Sequence, residues 1–161
     1  MNSIHQFTLK DLKQQDVSLE KYKGKVLLIV NTASKCGLTP QYKDLEDLYA
    51  EFKGKDFDIL AFPSNDFGAQ EPLNGAEIQE FCDINFKTTF PLFDKVVVTG
   101  KDACPLFHFL SDKSLNGKVN VAPKWNFQKY LINKEGEVVD YYLPITSPTT
   151  SKIKKAISKL L

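Results

Sequence analysis

Six side chains of three chemical kinds carry most of the chemistry this sequence can offer: Cys36, Cys82 and Cys104, the amides of Gln70 and Asn126, and the indole of Trp125. Cys36 follows Val26-Leu27-Leu28-Ile29-Val30, an unbroken apolar run, and the polar loop Asn31-Thr32-Ala33-Ser34-Lys35. A run apolar at every position reads as a strand buried on both faces. Gly37-Leu38-Thr39-Pro40 then opens a segment in which Tyr42, Leu45, Leu48, Tyr49 and Phe52 recur at helical steps. The thiol is thus expected outside the carboxyl end of a central strand, at a helix N-terminus, where unpaired N–H groups favour an anion. Free cysteines commonly end as small core residues. The polar loop, Lys35 and the strand-to-helix position point instead to a reactive thiol.

The other elements must bring partners to that thiol. Phe7-Thr8-Leu9 and Val17-Ser18-Leu19 read as an N-terminal hairpin, followed by a strand over 25–30 and a helix over 41–52. A second strand spans 57–62, ended by Pro63, and a polar loop runs from there to Gly75. Residues 76–86 read as a helix, 90–93 and 96–98 as extended, and Pro105 opens a short helix through Leu110. Residues 125–132 and 138–143 read as two strands around the turn Asn133-Lys134-Glu135-Gly136, and a C-terminal helix starts at Ser147-Pro148. The order βαβ, then ββα, is that of a thioredoxin-like α/β sheet with an N-terminal hairpin and an insertion in the middle. Its core is expected to draw on Leu27, Ile29, Phe57, Ile59, Phe81, Leu131, Ile132 and Ile157. Open sheets of this kind bind ligands at the carboxyl ends of their strands, where Cys36 lies.

Two further segments reach the same edge. The loop carrying Gln70 leaves the neighbouring parallel strand, and Trp125-Asn126 begins a strand that sits beside Cys36 if it runs antiparallel to the first. Trp125 is a donor-only indole, and Gln70 and Asn126 bring amides. Singly, each has an ordinary structural use: core packing for Trp125, a solvated loop for Gln70, a turn for Asn126. Arriving together, they offer neutral donors to a thiolate and to an oxygen leaving as an anion.

Composition narrows the field. At 161 residues the chain is expected to form one domain, 1–161. A net charge of +1 gives no electrostatic case for nucleic acid or an anionic membrane, and no apolar stretch approaches membrane-spanning length. The first six residues lack the features of a signal peptide, so a cytoplasmic location is expected. No cofactor is implied. His5 and His108 are far apart and no two cysteines have short ligand spacing, so no metal site is expected. All 21 basic residues are lysine, which removes the bidentate guanidinium fork that suits carboxylates and phosphates.

The motifs are distinctive in combination. Asn31-Thr32-Ala33-Ser34-Lys35-Cys36-Gly37-Leu38-Thr39, then the run from Ala61 through Ser64-Asn65-Asp66-Phe67-Gly68-Ala69-Gln70-Glu71-Pro72, then Trp125-Asn126-Phe127, closely resemble the glutathione peroxidase family, in the same order and spacing. The resemblance implies a peroxidase acting on hydrogen peroxide and organic or lipid hydroperoxides. It makes Cys36 the peroxidatic residue, an ordinary cysteine, with Gln70, Trp125 and Asn126 completing the catalytic set. Phe81-Cys82-Asp83 followed by Phe90-Pro91-Leu92-Phe93 resembles the resolving-cysteine motif of the thioredoxin-dependent branch. That implies a Cys36–Cys82 disulfide recycled by thioredoxin, with glutathione disfavoured by the lack of arginine. The short stretch between Leu110 and Trp125 implies a monomer or dimer. The family often has Cys at Ser64 and Gln at Asp66, so any resolving role falls to Cys82 or Cys104. Cys104, before Pro105 at a helix start, is expected to pack rather than react.

Neighbouring classes fail on single residues. A thioredoxin-type C-x-x-C would need cysteine at Thr39. A peroxiredoxin is expected to carry threonine at Ala33 and an active-site arginine, and a copper chaperone of this fold a cysteine at Pro40. A peroxide sensor that relays oxidation to a partner protein shares the same first step and stays open.

Overall fold

A computed structural model describes residues 3–161. Met1 and Asn2, which head the segment read for a targeting signal, lie outside the described residues. After a 3-10 turn at Ile4–Gln6 comes the hairpin β1 (Thr8–Lys10) and β2 (Asp16–Ser18), then a second 3-10 turn at Leu19–Tyr22, β3 (Val26–Thr32), α1 (Gln41–Glu51) and β4 (Phe57–Pro63). Then come α2 (Gly75–Asn85), α3 (Pro105–Ser111), α4 (Lys113–Asn116), β5 (Lys129–Ile132), β6 (Val138–Tyr142) and α5 (Ser151–Leu160).

β3 is the centre of a four-stranded sheet in the order β4-β3-β5-β6. It pairs with β4 in parallel and with β5 antiparallel, and β6 returns antiparallel to β5. All seven β3 residues are buried, which accounts for its apolar run: both faces are covered. Leu27 and Ile29 join Leu60, Phe62, Tyr130 and Ile132 on one face, under α3 with Leu106, Phe107 and Leu110. Val26, Leu28 and Val30 join Phe57, Ile59, Ala61 and Leu131 on the other, under Tyr42, Leu45 and Leu48 of α1, Ile78 of α2, and Ile153 and Ile157 of α5. The period of two along each strand thus sorts one apolar run into two cores. Of the expected core residues, Phe81 is only partly buried.

Boundaries differ where polar groups, not hydrophobicity, decide them. The expected strand over 125–132 begins at Lys129, because residues 125–127 form a turn with Phe127 at φ +70°. Residues 96–98 lie outside the sheet. The Asp66 carboxylate accepts from the amides of Val98 (2.8 Å) and Thr99 (3.1 Å), which binds that segment to the loop after β4. Residues 91–93 bridge to Ala61 through Ala61 N to Pro91 O (3.1 Å) and Phe93 N to Ala61 O (2.9 Å). The C-terminal helix starts later than Ser147, at Ser151, with Thr150 as its N-cap.

Lys129 is a residue the sequence gives no reason to bury. Opposite Val30 and Tyr142 in β5, it is completely enclosed on the α1 side of the sheet. Its Nζ donates to the carbonyls of Pro144 (2.9 Å) and Thr146 (2.6 Å). Burial pulls the ammonium down to about 7 from the 10.5 of a free lysine, with Asp44 opposing the shift. The unfolded chain keeps this proton up to about pH 10.5 while the folded chain releases it near 7, so between those values the unfolded state binds more protons and stability rises with pH. Lys129→Met removes this dependence. In urea titrations the wild type is expected to gain stability relative to the variant as pH is raised from about 7 towards 10.5, and parallel pH profiles would contradict it.

Candidate active site

The residues singled out in the sequence leave three neighbouring strands at one sheet edge: Cys36 after β3, Gln70 after β4, and Trp125 and Asn126 before β5. Cys36 is half-exposed, in a turn before α1. The Thr39 hydroxyl staples that turn, accepting from Cys36 N (2.9 Å) and donating to Ala33 O (2.8 Å). Leu38 N donates to Cys36 Sγ at 3.3 Å.

The expectation of unpaired helix amides at the thiol is corrected here. α1 begins five residues past Cys36, and its first amides are satisfied by the turns before it: Gln41 N to Leu38 O (2.8 Å), Tyr42 N to Thr39 O (3.0 Å), Lys43 N to Pro40 O (3.0 Å). A single loop amide, Leu38 N, takes the role expected of the helix end.

The Gln70 loop is tied to the Cys36 loop at two successive residues. Lys35 N donates to Gln70 O (2.9 Å), and Ser34 Oγ donates to Glu71 Oε1 (2.9 Å). Asn65 Oδ1 accepts from Glu71 N (2.9 Å), and Lys95 Nζ donates to Glu71 O (2.9 Å). Glu71 is completely buried, and that burial raises its carboxyl above the usual range while Ser34 and Lys95 oppose the rise. Neither Ser34 nor Glu71 stands out in the sequence, since the partners lie 37 residues apart and no local pattern joins them.

From the other side, Asn126 Nδ2 donates to Gln70 Oε1 (3.2 Å). β3 is joined to this segment beyond its regular ladder: Phe127 N donates to Asn31 O (2.6 Å), and Asn31 Nδ2 to Trp125 O (3.0 Å). With Phe127 in the left-handed region, the turn buries Asn126 completely and leaves the Trp125 ring partly exposed. That ring lies 5.5 Å from the ring of Phe67. A Cβ at Gly68, where φ is +64°, would come within 3.2 Å of Trp125 Cη2 and 3.4 Å of Gln70 Cγ. The indole and the amide therefore approach over a bare backbone that only glycine supplies without crowding.

Gln70 and Asn126 are thus brought into direct contact, with Trp125 beside Gln70 and Cys36 linked to them through Lys35. Among the described residues, the donor to Cys36 Sγ is Leu38 N, and the side chains of Gln70, Trp125 and Asn126 make no hydrogen bond to it. The Gln70 Oε1 is engaged by Asn126, which leaves its Nε2 and the indole Nε1 without a partner among the described residues. These are the donors able to receive a ligand.

Cys82 is fully buried in α2. Burial pushes its thiol up to about 12, and the hydroxyls of Tyr42 and Thr88 pull the other way without well-aligned hydrogen bonds. Only Ile78 and Cys82 of α2 are buried, so little packing holds that helix closed. Cys104 is half-buried at the N-cap of α3, packed against the α3-side core, and its thiol is also raised by burial. Among the described residues, no group of three His, Cys, Asp or Glu side chains could hold a metal ion, and no helix is long and apolar enough to cross a membrane.

Ser34→Ala leaves the buried Glu71 carboxyl without its side-chain donor and is expected to cost about 1–3 kcal/mol of stability in denaturant titration. An unchanged midpoint would show the bond to be dispensable. Brief treatment of the reduced protein with iodoacetamide at pH 8 is expected to label Cys36 first, since Cys82 is enclosed and its thiol lies near 12. Mass spectrometry showing Cys82 labelled first would mean that α2 opens readily before oxidation.

A family model for glutathione peroxidase matches residues 4–111. The chain is 53% identical over 160 residues to a probable phospholipid hydroperoxide glutathione peroxidase of Citrus sinensis, spanning 99% of this chain and 94% of that protein. It is also 53% identical over 161 residues to a probable mitochondrial glutathione peroxidase 3 of Arabidopsis thaliana, spanning 99% and 76%. Among solved structures, the crystal structure of Trgpx in apo form superposes with a TM-score of 0.77 at 40% identity, covering 98% of this chain and 94% of that one. A thioredoxin-family thiol:disulfide interchange protein from Chlorobium tepidum aligns with a TM-score of 0.68 at 12% identity over 96% and 92%, a likeness of fold alone. By sequence along nearly its whole length, and by the thioredoxin-like fold it shares with those structures, the chain belongs to the glutathione peroxidase family.

Proposed function

We propose that this single-domain chain is a cysteine peroxidase that reduces hydrogen peroxide and organic hydroperoxides through Cys36 and is recycled by thioredoxin. The observation that carries this reading is the convergence on one half-exposed thiol. The Cys36 loop is fastened by Lys35 N to the Gln70 carbonyl, and Gln70 is held by Asn126, with Trp125 alongside.

The Cys36 thiolate attacks one oxygen of the hydroperoxide, the S–O bond forms and the O–O bond breaks. Water or alcohol leaves once its oxygen gains a proton, and Cys36 becomes a sulfenic acid. Gln70 Nε2 and Trp125 Nε1 are the neutral donors for the departing oxyanion, with Asn126 fixing the Gln70 amide so that its Nε2 is turned to the ligand. The Cys82 thiol then displaces the sulfenic hydroxyl as water and closes a Cys36–Cys82 disulfide. A disulfide needs Cα atoms within about 7 Å, so α2 must open to deliver Cys82. Its meagre buried face suits that movement. A dithiol reductant restores both thiols by exchange.

Several finer choices belong to this same reading. Absence of arginine in a chain with 21 lysines disfavours a dedicated grip on the glutathione carboxylates and favours a thioredoxin-type reductant. We take the protein to be monomeric or dimeric and cytoplasmic, although relatives are named as mitochondrial or chloroplastic forms.

Cys36→Ser is expected to abolish peroxide consumption. Cys82→Ser should react once and stall as sulfenic acid or over-oxidise, while Cys104→Ser turns over almost normally. Thioredoxin-coupled NADPH oxidation, run beside glutathione and paired with mass spectrometry of the peroxide-treated protein, reads all three. A Cys36–Cys104 bridge, or full thioredoxin-dependent turnover without Cys82, would overturn the choice of resolving residue. Stoichiometric oxidation of a partner without turnover would favour a sensor.

A further inference from the structure

Helix α2 closes over polar groups where a packed helix ordinarily covers apolar ones. Ile84 is left 68% exposed, and of the eleven residues Ile78 and Cys82 are the ones buried. The hydroxyls of Tyr42 and Thr88 act on the Cys82 thiol, the Thr32 hydroxyl acts on that of Tyr42, and the Glu71 carboxylate bears on both Cys82 and Tyr42. Thr32, Tyr42 and Glu71 are completely buried, and Thr88 nearly so. Yet the three hydroxyls and Glu71 Oε2 have no hydrogen-bond partner among the described residues. Polar side chains from β3, α1 and the segments on either side of α2 are thus gathered around one buried thiol.

Contacts that do not depend on Cys82 hold the two hydroxyls there. The Tyr42 ring lies 5.5 Å from that of Phe86 at the C-cap of α2, 6.5 Å from Phe90 and 5.4 Å from Phe127. Thr88 is fixed through its neighbour: Thr89 N and Oγ1 donate to the Glu46 carboxylate at 2.7 and 2.6 Å, which ties the segment after α2 to α1. A hydroxyl buried without a well-aligned partner forfeits bonds to water that it regains when its cover lifts. An apolar floor of the same shape would instead lose its burial on opening. The polar floor therefore narrows the free-energy gap between closed and open α2.

We propose that Tyr42 and Thr88 are positioning residues for the resolving step: their buried hydroxyls give α2 a polar floor that holds the closed helix loosely enough to release Cys82 to oxidised Cys36. The inference rests on the peroxidase reading above, with Cys82 as the resolving residue, and adds what makes the opening of α2 accessible. Once α2 opens, the Cys82 thiol enters water and loses its proton, and its sulfur attacks Cys36. The S–S bond forms, the S–O bond of the sulfenic acid breaks, and the departing hydroxide takes up that proton as water. Attack of peroxide on Cys36 precedes this movement, so the floor governs the second step and not the first.

The test compares wild type with the double variant Tyr42→Phe/Thr88→Val, which keeps the ring and the branched side chain and removes both hydroxyls. In the reduced double variant the α2 amides are expected to exchange with deuterium about tenfold more slowly, read by mass spectrometry. After mixing with hydrogen peroxide, acid quenching and thiol mapping should show the Cys36–Cys82 disulfide forming about tenfold more slowly. Cys36 sulfenic acid should accumulate, while reduced Cys36 is consumed at the wild-type rate. Tyr142→Phe removes another buried hydroxyl, on β6, and should change neither readout. Each single variant should move both readouts in the same direction, so the comparison survives if the double variant does not fold. Exchange or disulfide formation at or above the wild-type rate overturns the inference, as does slower exchange with unchanged disulfide formation. If wild-type Cys36 forms no sulfenic acid, it is the peroxidase reading that falls. If the sulfenic acid forms but never bonds Cys82, the choice of resolving residue falls, and this inference with it.

Discussion

Asn31 is the hinge on which the site depends. As β3 emerges from the sheet, the Asn31 carbonyl accepts from Phe127 N and its side-chain amide donates to Trp125 O. One residue of the central strand thereby extends the antiparallel pairing past its regular ladder and sets where Trp125 and Asn126 sit. On its other side, Thr32 O accepts from Ser64 N at 2.9 Å, which carries the parallel pairing with β4 into the loop that bears Gln70. Two segments distant in sequence are therefore registered against a single strand, and Cys36 follows four residues after it ends. Fixing loops by backbone bonds to a buried strand holds them more tightly than side-chain contact alone, since the strand cannot shift without breaking both of its neighbours' ladders.

The edge is built from polar groups that the fold takes out of water at a cost. Asn126 and Glu71 are completely buried, and Asn126 Oδ1 and Glu71 Oε2 have no hydrogen-bond partner among the described residues. Phe127 holds a left-handed backbone, a conformation that costs a bulky residue about 1–3 kcal/mol. Lys129 is enclosed with carbonyl oxygens as its hydrogen-bond partners. Asn126 and Glu71 depart from the rule that buried polar groups are paired, Phe127 from the backbone its bulk favours, and Lys129 from the rule that charge stays in water, and all four lie at the end of the sheet that bears Cys36. Conflicts of this sort are where function is commonly traded against stability.

The three cysteines show how environment separates identical side chains. Cys36 sits in a turn that exposes sulfur and directs one amide at it. Cys82 is shut in the α1-side core, where its thiol stays protonated far above neutral pH, and Cys104 caps a helix against the opposite core. A buried thiol is an inert one, so any reaction of Cys82 is gated by movement of α2 rather than by its own chemistry. The helix that carries it is among the least anchored, with two buried side chains in eleven residues.

By itself the sequence determined most of the elements and their order, the short α4 excepted: the buried β3, the amphipathic α1 and α5, the Pro105 start of α3, and the chemical identity of Cys36, Gln70, Trp125 and Asn126 as the residues to meet at one edge. Those follow from local periods of two and 3.6 residues and from motifs short enough to read directly. Only the tertiary structure decided that Leu38 N rather than a helix end faces the thiol, that Ser34 clasps Glu71, that Asp66 holds the amides of Val98 and Thr99, and that Lys129 lies beneath the β6–α5 turn. The strand expected from Trp125 starts instead at Lys129, because Asn31 recruits the preceding residues into a turn. Apolar burial repeats along the chain and so leaves a periodic trace. Hydrogen bonds between single polar groups tens of residues apart leave none, and their partners exist only once the sheet has closed.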